Sequence, residues 1–597
     1  MYLKCHRRFK DGKEHRYWSI TEKKRCAGGR TVDRHVIYLG EINDSQRESW
    51  MRCIEAFEDS GKRTRQLALF PADKPLPEHA SELGVQVCLS QFRLHRPRQW
   101  GACWIFMQLW EKLRLDAFWK DRLLPSRQGT QWYHVLVTLC AYRWIDPGSE
   151  WRLHRLWFEQ SAMGDLLGED FALVAKDKLY RCLDKLVEHK NDLFTHLRER
   201  WIDLFDANFD VLLYDLTSTY FESDPPEDSE DKRRFGYSRD KRSDCVQVVI
   251  ALVVTPEGFP LAYEVLPGNT QDKTTLKDFL QRIEGQYGKA RRIWVMDRGI
   301  PTEETLEAMR KSDPPTQYLV GTPKGRLSKL ESELLDCEWQ QARSSVNVKL
   351  LPKQDELYVF VESKNRVHKE RAMRRRKLKK LWKRLGELQQ QRPTYETLLM
   401  KLGGAQKEAG RVAWGLVDIQ LPELPDKKDR KRRVDFNYRL NKDKLRKAIK
   451  REGRYLLRSN LTETDPSKLW EYYLQLTEVE EAFKNLKGDL GIRPIFHRLE
   501  SRIEAHIFVS FVAYCVQVTL KAILKSKAPG LTARQVRDKF SGIQMLDVHF
   551  PTNDGHELVL TRYTQPEKDH QILLSQLGWQ LPDQPKPRIT AKREIQM

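Results

Sequence analysis

Residues 210–221, DVLLYDLTSTYF, place a carboxylate in the middle of an apolar, β-branched run. Such runs are typical of a strand that is buried on both faces. A carboxylate inside a buried strand is costly unless it is paired, hydrogen-bonded or bound to a metal ion. Asp215 therefore requires a partner. Asp297, which ends the run RIWVMD, raises the same requirement.

The segments between these two acids predict a mixed sheet. CVQVVIALVVT and FPLAYEVLPGN are typical of strands, and KTTLKDFLQRIEGQ is typical of a helix. Adjacent strands lie about 4.8 Å apart, so two carboxylates on one face can share cations. Mg²⁺ is held by one or two carboxylates plus substrate phosphates, and paired ions serve displacement at phosphorus. The alternative for each acid alone is a structural salt bridge or a strand-end cap.

A metal site of this kind usually needs a third acid. Residues 471–497, EYYLQLTEVEEAFKNLKGDLGIRPIFH, form a helical pattern with five acids. At about 100° per residue, Glu480 borders the apolar stripe and shares a side with Tyr473 and two lysines, whereas the other acids nearby face away. The alternative is a Glu480–Lys484 surface pair, which contributes a few tenths of a kcal/mol. The five acids are Glu471, Glu478, Glu480, Glu481 and Asp489.

The bulk properties indicate a polyanionic partner. The 597 residues carry a net charge of +21, and the charge is clustered in 366–386 and 426–433. Such clustering favours nucleic acid binding, although a charge run can also be a solvated face. Ten scattered cysteines without a CxxC pair are typical of reduced cytosolic residues. We expect no signal peptide, and we expect the apolar run 507–524 to be a buried core helix rather than a membrane span.

The chain is long enough for several domains. Residues 1–45 alternate as strands do, 46–70 are helical in pattern, and 71–80 are proline-rich. We predict six regions: a small N-terminal β/α region with a linker (1–80), an all-α DNA-binding domain (81–205), the first part of the catalytic core (206–303), a β-rich insertion with a basic helix (304–470), the second part of the core (471–530) and a C-terminal region (531–597).

Four segments together resemble a known enzyme family: YDLTSTYF, the stretch from GYSRDKRSD to DKTTL, WVMDRG, and the region from YLQLTEVEEAF to HIFVSF. They are similar to DDE transposases of bacterial insertion sequences. The branch resembled carries a Tyr–Arg–Glu–Lys signature spaced Y-x2-R-x3-E-x6-K. Tyr473, Glu480 and Lys487 match it, and Leu476 stands at the arginine position. In the family that arginine helps to hold a DNA phosphate, a contact that Arg493 or Lys484 would have to replace.

The resemblance implies a fold and a reaction. The fold is a multidomain α+β chain: a ribonuclease-H-like mixed sheet is interrupted by a β-rich insertion and preceded by an all-α domain and a small N-terminal β-containing region. Asp215, Asp297 and Glu480 would be the catalytic triad and would bind two Mg²⁺ or Mn²⁺ ions. Water would cleave the strand at a transposon end, and the freed 3′-hydroxyl would attack target DNA or the opposite strand.

The implied partners are double-stranded terminal inverted repeats and target DNA, with at least a dimer in the synaptic complex and no membrane. We expect the protein in the bacterial cytoplasm, associated with the nucleoid. Two alternatives stay open: a nuclease that cuts without joining, and a non-catalytic DNA-binding protein from a decayed element. The predicted DNA-binding residues are Tyr473, Lys487, Lys484, Arg493 and Arg298, together with Tyr237, Ser238, Arg239, Lys241 and Arg242 of the loop GYSRDKRSD, which is otherwise a solvated loop.

Overall fold

The computed structural model describes residues 2–10, 13–25, 31–40, 87, 91–228, 230–288, 290–322, 330, 333–334, 337–422, 433–462, 465–552 and 556–590. These residues form two compact units. One unit comprises 1–102, 159–162 and 539–597, and the other comprises 103–158 and 163–538. The helix expected over 46–70 and the linker 71–80 lie outside the described residues.

The strands of the described residues follow the apolar runs of the sequence. In chain order they are β1 (Tyr2–Lys10), β2 (Lys13–Arg25), β3 (Thr31–Gly40), β4 (Arg93–Gln99), β5 (Val211–Tyr220), β6 (Gln247–Val254), β7 (Pro260–Pro267), β8 (Ile293–Met296), β9 (Gln317–Gly321), β10 (Gln340–Arg343), β11 (Val346–Lys353), β12 (Glu356–Ser363), β13 (Val417–Gln420), β14 (Asn437–Leu440), β15 (Arg454–Ser459), β16 (Gln544–Pro551), β17 (Glu557–Tyr563) and β18 (Arg588–Thr590).

The α-helices of the described residues are α1 (Gly101–Lys112), α2 (Leu115–Lys120), α3 (Trp132–Ile145), α4 (Glu150–Arg152), α5 (Phe158–Gln160), α6 (Met163–Leu167), α7 (Lys176–Leu183), α8 (Lys190–Phe205), α9 (Asp272–Tyr287), α10 (Glu303–Lys311), α11 (Lys364–Gln391), α12 (Tyr395–Trp414), α13 (Lys442–Lys450), α14 (Pro466–Leu474), α15 (Leu476–Lys484), α16 (Glu500–Lys527), α17 (Ala533–Phe540) and α18 (Lys568–Leu577). Short π-helical turns span Leu153–Trp157 and Asn485–Asp489, and 3₁₀ turns span Phe171–Val174 and Val187–His189.

The first unit contains two antiparallel sheets. One has the order β1-β2-β3 and the other the order β18-β17-β16-β4. β4 therefore pairs with a C-terminal strand, although its residues belong to the region expected to be helical. The buried Arg98 guanidinium on β4 donates to both carboxylate oxygens of Asp547 on β16, at 3.1 and 3.0 Å. This two-pronged ion pair ties the C-terminal strand to β4.

The second unit is built on a nine-stranded mixed sheet of order β10-β11-β12-β15-β9-β8-β5-β6-β7. β5, β6 and β7 are antiparallel, whereas β5, β8 and β9 are parallel. Every residue of β6 is buried, as its apolar sequence QVVIALVV predicts. The acid-bearing strand β5 therefore lies inside the sheet, with β6 on one side and β8 on the other.

The apolar run 507–524 lies within α16, whose hydrophobic window is 89% buried in the protein. α16 is long and apolar enough to cross a bilayer, but it serves as a core helix. Its polar groups are satisfied internally: Gln517 accepts a 2.9 Å hydrogen bond from the Trp144 indole, and Thr519 accepts one of 2.9 Å from Trp201. The prediction of a buried core helix is therefore confirmed.

The insertion differs from the expected separate β-rich body. Its strands β10, β11, β12 and β15 continue the main sheet, because β15 pairs with β9. Its other part is mainly helical: α11 and α12 pack around Leu381, Leu385, Leu388, Leu398 and Leu402. The leucines recur at helical spacing, so they pair two helices, whereas the β-branched runs extend the free edge of an existing sheet.

Candidate active site

Asp215 and Asp297 lie at the same level of two neighbouring strands. β5 and β8 are parallel, with Tyr214 opposite Met296 as the last pair in register. Asp215 is the next residue of β5, and Asp297 is the first residue after β8. Residues in register on adjacent strands project to the same face, so the two carboxylates border one space.

Glu480 reaches the same space from α15, which packs against β5. Val479 and Phe483 are buried on the packed face of this helix, whereas Glu480 is exposed. Its side chain faces a cavity of about 940 Å³ that Asp215 and Asp297 also line. The structure therefore brings together the three acids that the sequence singled out.

Glu480 differs from the other four acids of its segment. Among the described residues, Glu480 has no ion pair or side-chain hydrogen bond, and the Glu480–Lys484 pair considered as an alternative does not form. Each of the other acids has a cation. Glu471 pairs with Arg343 at 2.6 Å, Glu478 and Glu481 pair with Lys521 at 2.8 and 3.2 Å, and Asp489 pairs with Arg534 at 3.2 Å.

The environment of Asp215 is unfavourable for a bare carboxylate. The pKa of Asp215 is raised from 3.8 to about 7; burial is the main cause, and the neighbouring Asp297 acts in the same direction. The Leu216 amide, which donates to Asp215 Oδ1 at 2.8 Å, and the charge of Arg239 act in the opposite direction. The Arg239 guanidinium is itself bound to Asp272 at 2.7 Å. A cation in the cavity would therefore stabilise the ionised form of Asp215.

The donor set fits a divalent metal ion. Within the described part of the chain, Asp297, like Glu480, has no ion pair or side-chain hydrogen bond. Three carboxylates thus face one cavity, and neither Asp297 nor Glu480 forms an ion pair with a described residue. Oxygen donors of this kind prefer hard cations such as Mg²⁺ or Mn²⁺. Asp215, Asp297 and Glu480 are the residues that could hold such ions.

Two predicted DNA contacts, Tyr473 and Arg298, line the cavity beside the acids. Arg298 follows Asp297 directly, is exposed, and forms no ion pair with any described residue. Tyr473 projects from α14, two residues before Gln475, which separates α14 from α15. The position expected to carry an arginine, Leu476, lines the same cavity without a charge.

Lys487 and Arg493 converge on Asp240 rather than on open space. Lys487 Nζ lies 2.8 Å from Asp240 Oδ1, and the Arg493 guanidinium bonds to the same oxygen. Burial opposes ionisation of Asp240, but the bonds from Arg493 and Lys487 hold its pKa below the usual value. The second oxygen, Oδ2, is buried without a hydrogen-bond partner among the described residues. In this structure an internal carboxylate therefore occupies both cations.

The loop GYSRDKRSD has mixed roles. Arg239 and Arg242 are engaged, by Asp272 and by Asp244 with Glu222. Ser238 Oγ accepts a hydrogen bond from the Arg242 amide at 3.1 Å. Tyr237 is 85% exposed and Lys241 is also exposed. Lys484 is likewise exposed and has no described partner. Three of the predicted contacts, Tyr237, Lys241 and Lys484, are thus free to meet a ligand.

Sequence reasoning missed a buried cluster formed by Glu150, His497 and His506. Glu150 Oε1 lies 3.3 Å from His497 and 3.5 Å from His506. The Arg143 guanidinium, itself buried, lies 3.8 Å from the same oxygen and donates to the Gly491 carbonyl at 3.1 Å. Because a protein cation already accompanies the carboxylate, we interpret this cluster as structural. The cluster's only sequence signal was four polar residues scattered in apolar surroundings.

The family follows from comparison with known proteins. The family model described as "Transposase DDE domain" matches residues 208–516, more than half of the chain. The chain therefore belongs to the DDE-domain transposase family. A search of curated proteins gave no match. Among solved structures, the chain is similar to piggyBac transposase in a cryo-EM synaptic complex with hairpin DNA, with 9% identity over 73% of this chain and 76% of that chain and a TM-score of 0.34.

Proposed function

We propose that this protein is the transposase of a bacterial insertion sequence, which binds the ends of the element and moves it by cut-and-paste transposition. The observation that carries the proposal is the meeting of Asp215, Asp297 and Glu480 in one cavity, with no protein cation on Asp297 or Glu480 among the described residues. Family membership supports the same reaction class.

The proposed core is ribonuclease-H-like. The strand order β7-β6-β5-β8-β9, with three antiparallel and three parallel strands sharing β5, supports this arrangement. It places the first acid within the central strand and the second just after its parallel neighbour. The third acid is delivered by a helix that follows the insertion, so the insertion separates the triad in sequence but not in space.

The proposed cofactors are two Mg²⁺ or Mn²⁺ ions held by Asp215, Asp297 and Glu480. Such ions acidify the attacking water and neutralise charge that develops at phosphorus. The chain's own groups hold the DNA: Arg298 and the Tyr473 hydroxyl face the same cavity and can neutralise or bond phosphate oxygens. Water breaks the P–O3′ bond, and the freed 3′-hydroxyl then attacks a second phosphodiester, exchanging one ester bond for another.

A basic surface on α11 is the proposed path of the flanking DNA. Arg366, Lys369 and Met373 line the acid cavity. The helix continues away from the cavity with exposed cations that have no described ion pair. From Met373 to Lys380 it makes about two turns and covers about 10 Å. That length spans about three base pairs of duplex. The exposed cations beyond the cavity are Arg375, Arg376, Lys377, Lys379 and Lys380.

The remaining assignments are part of the same proposal. The helical region 81–205 would bind the terminal inverted repeats, and two copies of the chain would pair two ends. Tyr473, Glu480 and Lys487 keep the spacing of the signature, although Leu476 replaces its arginine. The protein would act in the cytoplasm, on the nucleoid.

The test uses a plasmid that carries the coding sequence with its native flanking DNA, a second plasmid as target, and Mg²⁺. We expect cut ends and then joined products, with none from an Asp215→Asn variant. Cut strands that never join would instead identify a nuclease. Binding without cleavage in both proteins would identify a regulator and would contradict the proposal.

A further inference from the structure

The cavity beside the acids contains a space that only glycine leaves open. Gly321 ends β9, and a Cβ at this position would lie 3.2 Å from the Tyr473 hydroxyl and 3.4 Å from Asp297 Oδ1. A side chain larger than a methyl group would fill the gap between the tyrosine and the carboxylate. The absence of a side chain therefore keeps the Tyr473 hydroxyl open to a ligand next to the triad.

The Tyr473 hydroxyl is available as a donor. Among the described residues none forms a hydrogen bond with it. A tyrosine hydroxyl ordinarily keeps its proton at neutral pH. A protonated hydroxyl beside carboxylates donates to an anionic oxygen, provided that cations offset the negative charge.

Two arginines supply that charge. Arg298 and Arg366 both act on Tyr473 electrostatically, and both line the cavity. The Arg366 guanidinium lies 4.5 Å from the centre of the Tyr455 ring, and that ring lies 5.6 Å from the Tyr473 ring. Stacking on an aromatic face fixes the plane of a guanidinium and leaves its edge free to bond.

The backbone around Arg366 is fixed by hydrogen bonds and by close packing against Gly453. Ser363 caps α11 by accepting from the Arg366 amide at 3.4 Å, and its own amide donates to the Gly453 carbonyl at 3.0 Å. Gly453 has φ +76°, and a Cβ there would lie 2.3 Å from Val367 Cγ2. Glu370, which bonds Arg366 Nε at 3.2 Å, also accepts from the Gly453 amide at 2.9 Å. Arg366 is thus preorganised by contacts on several sides.

We propose that Tyr473, Arg298 and Arg366 form a phosphate-binding subsite that holds a backbone phosphodiester of the DNA strand next to the scissile one. This inference rests on the proposed function. It also replaces the earlier expectation that Arg493 or Lys484 takes the role left open by Leu476, because Arg493 is bound to Asp240 and neither residue lines this cavity. The cation comes instead from the insertion.

The first measurement is the rate of plasmid cleavage by the full chain. A charge-assisted contact to phosphate corresponds to about a 10- to 100-fold change, so we expect Arg366→Ala to slow cleavage by that factor. Arg366→Lys keeps the positive charge but loses the planar guanidinium, so its cleavage rate should lie between those of the wild type and Arg366→Ala. Lys311→Ala is the matched control, because Lys311 also pairs with a helical glutamate, Glu307 at 2.6 Å, but lies outside the cavity. It should stay within about twofold.

The second measurement does not depend on catalysis. Calorimetric titration with inorganic pyrophosphate at a fixed Mg²⁺ concentration should show about tenfold weaker binding to Arg366→Ala and to Arg298→Ala, and unchanged binding to Lys311→Ala. Leu476→Arg, which places a guanidinium in the same cavity, should recover about tenfold of the cleavage lost in Arg366→Ala.

The outcomes separate the two proposals. Equal cleavage by Arg366→Ala and an active wild type would overturn the subsite and leave the proposed function standing. Weaker pyrophosphate binding with unchanged cleavage would assign the site to a free anion and would also overturn it. If the wild type cuts no DNA, the proposed function fails, and equal pyrophosphate affinities of the wild type and Arg366→Ala would then overturn the subsite as well.

Discussion

Two clusters of ionisable side chains in the same structural unit are built on opposite principles. Asp215, Asp297 and Glu480 share a cavity in which two of the acids have no described protein cation. Glu150 lies buried with two histidines and with the Arg143 guanidinium 3.8 Å away. We interpret the second cluster, which carries its own cation, as a structural network, and the first as the proposed reaction site, which a metal ion would complete.

The largest expected effect concerns Glu480, which has no ion pair among the described residues. Glu480→Gln keeps the shape of the side chain but removes a metal-binding oxygen charge, so DNA cleavage should fall by about a thousandfold or more. Glu481→Gln is the matched control, since Glu481 is the next acid and pairs with Lys521 on the surface. Its rate should stay within about twofold. Equal rates for the two variants would contradict the assignment of the triad.

The next effect concerns the cluster that carries its own cation. Arg143→Ala leaves the buried Glu150 without its cation, which should lower the free energy of unfolding by about 3–5 kcal/mol in urea titrations. Arg152→Ala removes a half-exposed arginine that pairs with Asp146 at 2.6 Å, and should cost less than about 1 kcal/mol. A loss from Arg143→Ala as small as that from Arg152→Ala would show that the network is not structural.

The histidine cluster should also give the protein a pH dependence. Burial, with a contribution from Arg143, lowers the pKa of His506 from 6.5 to about 4, in a setting shared with Glu150 and His497. A depressed pKa contributes stability above the unfolded value of 6.5, and this stability is lost as the pH falls towards 4. The full contribution is about 3 kcal/mol. Urea unfolding between pH 7 and 4.5 should therefore be steeper in pH for the wild type than for His506→Asn; parallel curves would contradict the effect.

The smallest expected effect concerns Mg²⁺ binding at the three acids. Mg²⁺ at about ten times its dissociation constant should raise the free energy of unfolding of the wild type by about 1.4 kcal/mol, through binding to the folded state alone. Glu480→Gln should lose most of this gain, whereas His506→Asn should keep it. Differential scanning fluorimetry with and without Mg²⁺ measures the change. A gain that disappears in His506→Asn would move the metal site to the histidine cluster.

Local patterns were sufficient to predict the strand with Asp215 and the helix face with Glu480. The apolar run around Asp215 requires a buried strand, and the 3.6-residue period places Glu480 at the edge of the stripe that contains Val479 and Phe483. These inferences depend on residues within one element, whose directions follow from backbone geometry. The same reasoning could not find Asp240 between Lys487 and Arg493, because that contact joins segments about 250 positions apart.

The insertion shows the same limit. Its strand and helix patterns are readable from the sequence, but whether β15 joins β9 or begins a separate sheet depends on which free edge it meets. Arg366 is a second example. The sequence predicts the basic helix that contains Arg366, but it does not predict that the Arg366 side chain lies beside Tyr455.

The sequence by itself determined that Asp215 lies in a buried strand and that Glu480 borders the buried stripe of its helix. Only the tertiary structure decided which acids receive a protein cation and which remain without one. Periodicity is a property of one element, whereas these ion pairs join two elements that the fold brings together. Which acids are paired with a cation therefore depends on the tertiary contacts.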